Sequence, residues 1–263
     1  MSWLAQFDFG KLFIFTLVLA RVSGLVMTAP LFGIRSTPPQ TRALLCVVIA
    51  ALVFPLQWNA PLQPAAGPIP YLLLIGGELL IGVCLGLGVH ILLTGMRLAG
   101  QLIGRISGEM MAELYDPQMD ESFAVLSQFM DLVTLAVFVA LGGHRILMSG
   151  LLDTFQAIPL GLGPGIAPSL VDAFVLLLTQ SFTLGIRAAA PLVTALLLSS
   201  LVVALVARTL PQLNTMALGF SLNSLVTYAG LMLTLGGAVW IFQDQVEPAV
   251  EMLVHALQEG VTL

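Results

Sequence analysis

Long apolar runs, separated by short polar or proline-rich breaks, dominate the pattern of this chain. The runs fall at about residues 12–32, 43–58, 70–95, 123–142, 170–186, 188–207 and 215–243. Between Ala188 and Gln243 the only charged side chain is Arg208. A helix of about 20 residues crosses a hydrocarbon layer of roughly 30 Å. The pattern therefore predicts an all-α, polytopic integral membrane protein, with residues 1–263 forming a single membrane domain.

The fifth and sixth runs read as one apolar stretch from Ser169 to Thr209, interrupted only by Asp172, Arg187 and Pro191. A proline inside a helix removes one backbone hydrogen bond and bends or breaks the helix, although membrane helices tolerate it. The sequence therefore predicts either one bent helix or a tight helical hairpin in this region.

The third run continues into a longer helical pattern from Ile69 to Gly108. Forty residues of helix would reach roughly 60 Å, about twice the hydrocarbon thickness. We expect part of this element to leave the membrane, or the helix to break near Gly95. Glycines recur in it at every fourth residue, which clears one face for close packing of another helix, although glycine is also common in membrane helices generally. The glycines that we predict to form this packing face are Gly82, Gly86, Gly100, Gly104 and Gly108.

The end of the chain carries a different, amphipathic pattern. Apolar residues at helical spacing, among them Val246, Val250 and Leu253, oppose Glu247 and Glu251. This pattern predicts an amphipathic helix over residues 244–263 that docks on a partner or on the chain's own helix bundle.

Composition agrees with a membrane protein, because 58% of residues are hydrophobic, 9% are charged and the mean hydropathy is +1.02. The net charge of -5 and the absence of a basic stripe argue against nucleic-acid binding. The three histidines and two cysteines lack the spacing of a metal site, and Lys11, the single lysine, does not follow a phosphate-binding loop. We expect no catalytic residue, metal or cofactor.

Three charged residues, Arg21, Glu78 and Asp131, fall near the middle of apolar runs. An ionised group at that depth costs about 2.5–3.5 kcal/mol on insertion scales, so each needs compensation. One interpretation is a proton relay for transport. The other is structural pairing of Arg21 or Arg187 with Glu78 or Asp131, which the presence of both signs favours. Our hypothesis is that Arg21 pairs with Glu78.

The most distinctive polar stretch runs from Glu109 to Glu121. Methionine is unbranched and adapts to changing surfaces, so this stretch could form a deformable seal, but its composition fits an ordinary acidic loop equally well. The residues that would form the seal are Met110, Met111, Tyr115 and Met119.

A series of short motifs, in a fixed order, resembles the FliR/SctT family of type III secretion export-gate subunits over nearly the whole chain. It includes Arg21-Val-Ser-Gly, Gly76-Gly-Glu78, Ala99-Gly-Gln101, Asp116-Pro-Gln118 and Gly143-His144. The most specific stretch runs from Arg208 to Asn214 and includes Pro211 and Gln212. Ser221 departs from the pattern, because the family has proline at that position.

The resemblance implies a non-enzymatic core subunit of a hetero-oligomeric export gate in the bacterial inner membrane, at the flagellar basal body. Its helices would pack as hairpins with FliP-type, FliQ-type and FlhB-type subunits around a channel for unfolded protein substrates. The segment 106–122 would be the plug of that channel. Asp116-Pro-Gln and Pro211-Gln-Leu-Asn favour the flagellar over the injectisome branch. The alternative from another class is a secondary transporter or ion channel that uses Glu78 and Asp131, although the two halves of the chain lack the repeat typical of such carriers.

Overall fold

The computed structural model describes residues 9–30, 38–58, 67–108, 125–161, 168–210, 212 and 215–259. All regular elements in these residues are helical. The α-helices are α1 (Phe9–Thr28), α2 (Pro39–Val53), α3 (Pro68–Ser107), α4 (Val125–Ala140), α5 (Gly143–Ala157), α6 (Pro168–Thr209) and α7 (Thr215–Glu259), and a 3-10 helix, Phe54–Gln57, extends α2.

Five of the described helices are long and apolar enough to cross a membrane: Gly10–Thr28, Pro39–Gln57, Pro68–Ser107, Pro168–Thr209 and Leu218–Glu259. Helices α4 and α5 are bent by 66° relative to each other and would form a sixth span if taken together. Gly142 lies in the break between them with φ +76°, a left-handed conformation that glycine adopts without steric cost. The prediction of an all-α, polytopic membrane protein is confirmed.

Residues 168–209 form one continuous helix, with Pro191 inside it. The helical-hairpin alternative is therefore wrong. Pro191 removes only one hydrogen bond from the ladder, and the residues around it, such as Ala188, Ala189 and Leu192, pack on one buried face. Between Arg187 and Ala195 the chain has no Gly, Asn, Asp or Ser that would favour a turn, so it continues as a helix through the proline.

Helix α3 spans 40 residues and is also continuous, so of the two alternatives the break near Gly95 is wrong. At 1.5 Å per residue the helix is about 60 Å long, which exceeds the hydrocarbon thickness.

The seventh apolar run and the amphipathic pattern after it belong to one 45-residue helix, α7, and not to two. Val246, Val250 and Leu253 are at most 4% exposed, whereas Glu247 and Glu251 are exposed. Leu253 lies against Gly88 of α3. This part of α7 therefore docks on helices of its own chain.

The chain divides into two compact units. The first comprises Met1–Ile91, Gly142–Leu177 and Val246–Leu263, and the second comprises Leu92–Leu141 and Leu178–Gln245. Helices α3, α6 and α7 each contribute to both units. The first has core residues such as Leu17, Leu25 and Leu151, and the second has core residues such as Leu92, Phe138 and Leu196.

Candidate functional site: a buried charge network and close helix crossings

Arg21 of α1 and Glu78 of α3 form a buried ion pair in the first unit. Both side chains are 0% exposed, and Nε of Arg21 donates a hydrogen bond to Oε2 of Glu78 over 2.6 Å. The structure thus places the two hypothesised partners in direct contact. A pair this deep is compensated only if its remaining hydrogen-bonding groups also find partners.

Helix α5 and the residues after it supply those further partners. Nη1 of Arg21 donates to the carbonyl oxygen of Thr154 over 2.9 Å, and Nη2 donates to that of Ile158 over 3.3 Å. The backbone N–H of Gly161 donates to Oε1 of Glu78 over 2.8 Å. The guanidinium carbon also lies 4.4 Å from the ring centre of Phe155, in a cation–π contact.

The position of Arg21 at the end of α5 has an electrostatic consequence. The last carbonyl groups of a helix lack internal partners and carry partial negative charge. The carbonyl oxygen of Thr154 already accepts from the backbone N–H of Ile158, so Arg21 adds a second hydrogen bond there and supplies one to the carbonyl of Ile158, just past the helix. Arg21 thus compensates the partial charge of the helix end together with the carboxylate of Glu78. Both oxygens of Glu78 accept a hydrogen bond, so the arrangement favours a fixed carboxylate and a structural role.

Glycines bring α1 and α3 close enough for this contact. A Cβ atom at Gly82 would overlap the carbonyl oxygen of Arg21 and would lie 2.8 Å from the backbone nitrogen of Leu25. A Cβ at Gly24 would overlap the carbonyl oxygen of Leu79 in the same way. Glu78 precedes Gly82 by about one helical turn, so the crossing at Gly82 places Glu78 beside Arg21.

The predicted glycine face divides into three parts. Gly82 and Gly86 pack against α1 of the same chain, where a Cβ at Gly86 would lie 2.8 Å from the backbone nitrogen of Ala29. A Cβ at Gly100 would lie 2.6 Å from Cα of Ser127 in α4, and Gly104 is buried. Gly108 lies just past the end of α3 with φ +97°, so it ends the helix.

Sequence reasoning missed a further close crossing in the second unit. A Cβ at Gly95 would lie 2.9 Å from Oγ of Ser181, and one at Gly185 would overlap the carbonyl oxygen of Gly95. The four-residue spacing of Ser181 and Gly185 on α6 could have indicated this crossing, because small residues at this spacing allow two helices to approach closely.

Asp131 does not pair with Arg21 or Arg187. Its partner is Arg97 of α3, with Nη2 and Oδ2 2.5 Å apart and the side chains 42% and 37% exposed. The expectation left out Arg97 because this residue lies two positions past the third apolar run, although the same helix continues through it to Ser107. Arg187 is exposed, and it forms no ion pair with any residue that the structure describes.

A polar contact between α6 and α7 also escaped the sequence analysis. Oγ of Ser199 donates to Oδ1 of Asn223 over 2.8 Å, and Nδ2 of Asn223 lies 3.5 Å from Oγ of Ser200. Asn223 is an amide in an apolar run, which is a pattern that indicates a hydrogen bond between membrane helices.

The remaining predicted residues lie mostly at or beyond the edge of the described structure. The seal residues Met110, Met111, Tyr115 and Met119 fall outside the described residues, as do Pro211 and Asn214. Arg208, in the last turn of α6, and Gln212 are exposed. Within the described ranges no three His, Cys, Asp or Glu side chains converge as a metal site would require.

Comparison with known proteins identifies the family. A model described as "Bacterial export proteins, family 1" matches residues 12–249 of the 263. The chain belongs to this family. The matched range contains Arg21, Glu78 and the glycine crossings of α3.

Relatives of this export protein include three flagellar biosynthetic proteins FliR. The protein of Bacillus subtilis is 29% identical over 92% of this chain and 94% of its own length. That of Escherichia coli is 33% identical over 78% of this chain and 77% of its own length. That of Pectobacterium carotovorum is 32% identical over 90% of this chain and 85% of its own length. The resemblance inferred from the motifs is confirmed.

Proposed function

We propose that this export protein is a core subunit of the flagellar type III export gate. In the bacterial inner membrane, at the flagellar basal body, it would assemble with FliP-type, FliQ-type and FlhB-type subunits. Together they would form the channel that passes unfolded flagellar substrates. Membership in an export family and the similarity to flagellar biosynthetic proteins over most of the chain support this role.

The observation that carries the proposal is the large apolar surface on the long helices. Only 22% of the most apolar window of α6, 22% of that of α7 and 17% of that of α2 is buried within the chain. Helices of 42 and 45 residues are about 63 and 68 Å long, roughly twice the hydrocarbon thickness. Lipid tails cannot cover such helices completely unless they are tilted beyond the usual range. Neighbouring subunits would cover the rest.

The charge network has a mechanical role in this proposal. Arg21, Glu78 and the end of α5 are joined by five hydrogen bonds, the weakest from Nη1 of Arg21 to Oγ1 of Thr154 over 3.5 Å. The close contact of α1 and α3 at Gly82 adds to this rigidity. A channel wall must keep its shape while substrates pass. The network would supply that rigidity on the side of the first unit.

Segment 106–122 would act as the plug, with Met110, Met111, Tyr115 and Met119 as its deformable surface. Deleting residues 110–120 should make the assembled complex leak ions, measured as loss of an ion gradient across proteoliposomes. Met27→Ser, which changes an exposed methionine of α1, is the control and should leave the membrane sealed. A deletion complex that assembles and stays sealed would remove the plug assignment.

A secondary transporter based on Glu78 and Asp131 is less well supported. Each carboxylate is paired with an arginine, and Glu78 also accepts a backbone hydrogen bond. The purified chain alone should therefore transport neither solutes nor protons in proteoliposomes, and uptake without partner subunits would favour the carrier.

A further inference from the structure

A groove in the first unit runs between α5 and the last part of α7. It has a volume of about 780 Å³, and the two helices touch beside it where Val250 and Val254 lie against Gly150. Most of the side chains that line it are polar: Arg145, Ser149, Asp153, Gln156, Glu247, Glu251, His255 and Gln258. We call this cavity the α5–α7 groove.

The polar side chains of the α5–α7 groove do not satisfy one another. No hydrogen bond or ion pair joins any of them to another residue that the structure describes. All of them except Gln258 are exposed. Three carboxylates stand against one guanidinium, so the groove carries a net negative charge. Charged groups without a protein partner need water, because the loss of hydration is otherwise not compensated.

The end of α5 lies at the depth of the middle of α1. Arg21 is two residues past the midpoint of the span Gly10–Thr28, a displacement of about 3 Å along the helix. The carbonyl oxygen of Thr154 accepts a hydrogen bond from Arg21 over 2.9 Å. Asp153 and Gln156, on either side of Thr154, are exposed. With α1 spanning the hydrocarbon layer, these two polar side chains of the groove lie inside that layer.

The α7 side of the groove reaches the boundary of the layer. Gly86 of α3 lies beside Ala29, just past the end of the α1 span, and Gly88 is two residues further along α3. Leu253 of α7, which lies between two residues of the groove, packs on Gly88. The groove therefore extends from the boundary of the hydrocarbon layer to about its middle.

Lipid tails cannot solvate this groove. Ionisable side chains at hydrocarbon depth are costly, and they face the interior of a bundle or a water-filled cavity. A protein segment in the groove would have to supply a separate partner for each of eight side chains of both signs. Water solvates each of them without a fixed geometry, and it can enter at the boundary.

We propose that the α5–α7 groove is a water-filled cavity that enters the hydrocarbon layer near Gly88 and reaches the depth of Arg21, and that it forms the side of the first unit facing the conduit of the gate. The cavity depends only on the fold, whereas its assignment to the conduit rests on the proposed function. Its net negative charge attracts cationic segments of a passing chain more than anionic ones.

Cysteine labelling tests whether water fills the groove. Ser149→Cys and Gln156→Cys are introduced separately into a Cys46→Ala, Cys84→Ala background, and the full chain is reconstituted in freeze–thawed proteoliposomes. A charged, water-soluble methanethiosulfonate reacts with thiolates, which form where water reaches the thiol. Leu80→Cys is the matched control, because Leu80 is 49% exposed and lies on the same helix as Glu78, two residues away, among apolar neighbours.

Both groove variants should react at least about tenfold faster than Leu80→Cys, because the control position faces hydrocarbon. Groove variants as slow as the control would overturn the proposal. A control as fast as the groove variants would also overturn it, because this depth of α3 would then not lie in lipid. If Gln156→Cys does not accumulate, Ser149→Cys decides, since it exchanges an oxygen for a sulfur atom.

The same labelling in membranes that also contain the FliP-type and FliQ-type subunits of its own organism tests the conduit assignment. The groove variants should react as fast as they do in the chain alone. Protection in a complex that retains both partners would overturn the conduit assignment, because a partner would then cover the groove. If the chain retains no gate subunit, the proposed function fails, whereas the proteoliposome result still decides whether the cavity exists.

Discussion

At the scale of single residues, the buried charged side chains in the described part of the chain compensate each other. Arg21 and Glu78 are completely buried, and their hydrogen bonds join α1 and α3 to the end of α5. Arg97 and Asp131 form a second pair that is about 40% exposed. Burial decides how much each pair matters, because removing one partner of a buried pair leaves a charge that water cannot solvate.

Arg21→Met should therefore lower the free energy of unfolding in detergent by about 3–5 kcal/mol, because Glu78 is left buried and unpaired. The double variant Arg21→Met, Glu78→Leu should lose clearly less than the sum of its single variants. Arg97→Met is the matched control, and it should cost about 1 kcal/mol or less because that pair is half-exposed. Denaturant titration followed by circular dichroism measures all four. Additive losses in the double variant would contradict the coupling.

Gly82→Ala should destabilise the chain by at least about 2 kcal/mol, because the new Cβ would overlap the backbone of Arg21 and neither helix backbone can move aside cheaply. Gly76→Ala, in the same helix, has nothing within 4 Å of its Cβ and should be neutral or stabilising by up to about 1 kcal/mol. Thermal unfolding in detergent compares the two. Equal stability would mean that the α1–α3 crossing is looser than described.

At the scale of helices, hydropathy located most apolar runs but not where the helices end. The apolar run ended at residue 95 and one alternative broke the helix there, although α3 continues to Ser107 and its Arg97 pairs with Asp131. Hydropathy also divided the last apolar run, which ends at residue 243, from an amphipathic helix that begins at residue 244, although α7 is one helix that continues through Pro248. A charge or a proline costs a helix little when neighbouring helices compensate it, and a single sequence does not reveal those neighbours.

The candidate site was predictable to a similar extent. Arg21 and Glu78 could be singled out by their depth in apolar runs, and Gly82 by its spacing from Gly86. The hydrogen bonds of Thr154, Ile158 and Gly161 could not be predicted, because they come from backbone groups, whose positions depend on the tertiary fold. Sequence motifs report side chains, whereas half of this network is main chain.

The continuity of α6 gives a direct distance prediction. Spin labels at the exposed positions Leu178 and Leu205, 27 residues apart within the second unit, should be separated by about 40 Å along a continuous helix. Double electron–electron resonance in detergent measures this distance. A mean distance below about 20 Å would indicate the helical hairpin and would contradict a helix that runs through Pro191.

At the scale of the whole molecule, the long helices present more apolar surface than the chain covers itself. α6 and α7 are each about twice as long as a membrane is thick, and about a fifth of their most apolar windows is buried. This combination is typical of a subunit that is completed by its neighbours. The chain's membership in an export family agrees with that interpretation.

The most direct test is the composition of the particle that the full-length chain forms in its native membrane. Purification through a tag on this chain in mild detergent, followed by native mass spectrometry, should yield a single complex that also contains FliP-type and FliQ-type subunits. A stable, monodisperse particle with this chain as its only protein would contradict the gate assembly.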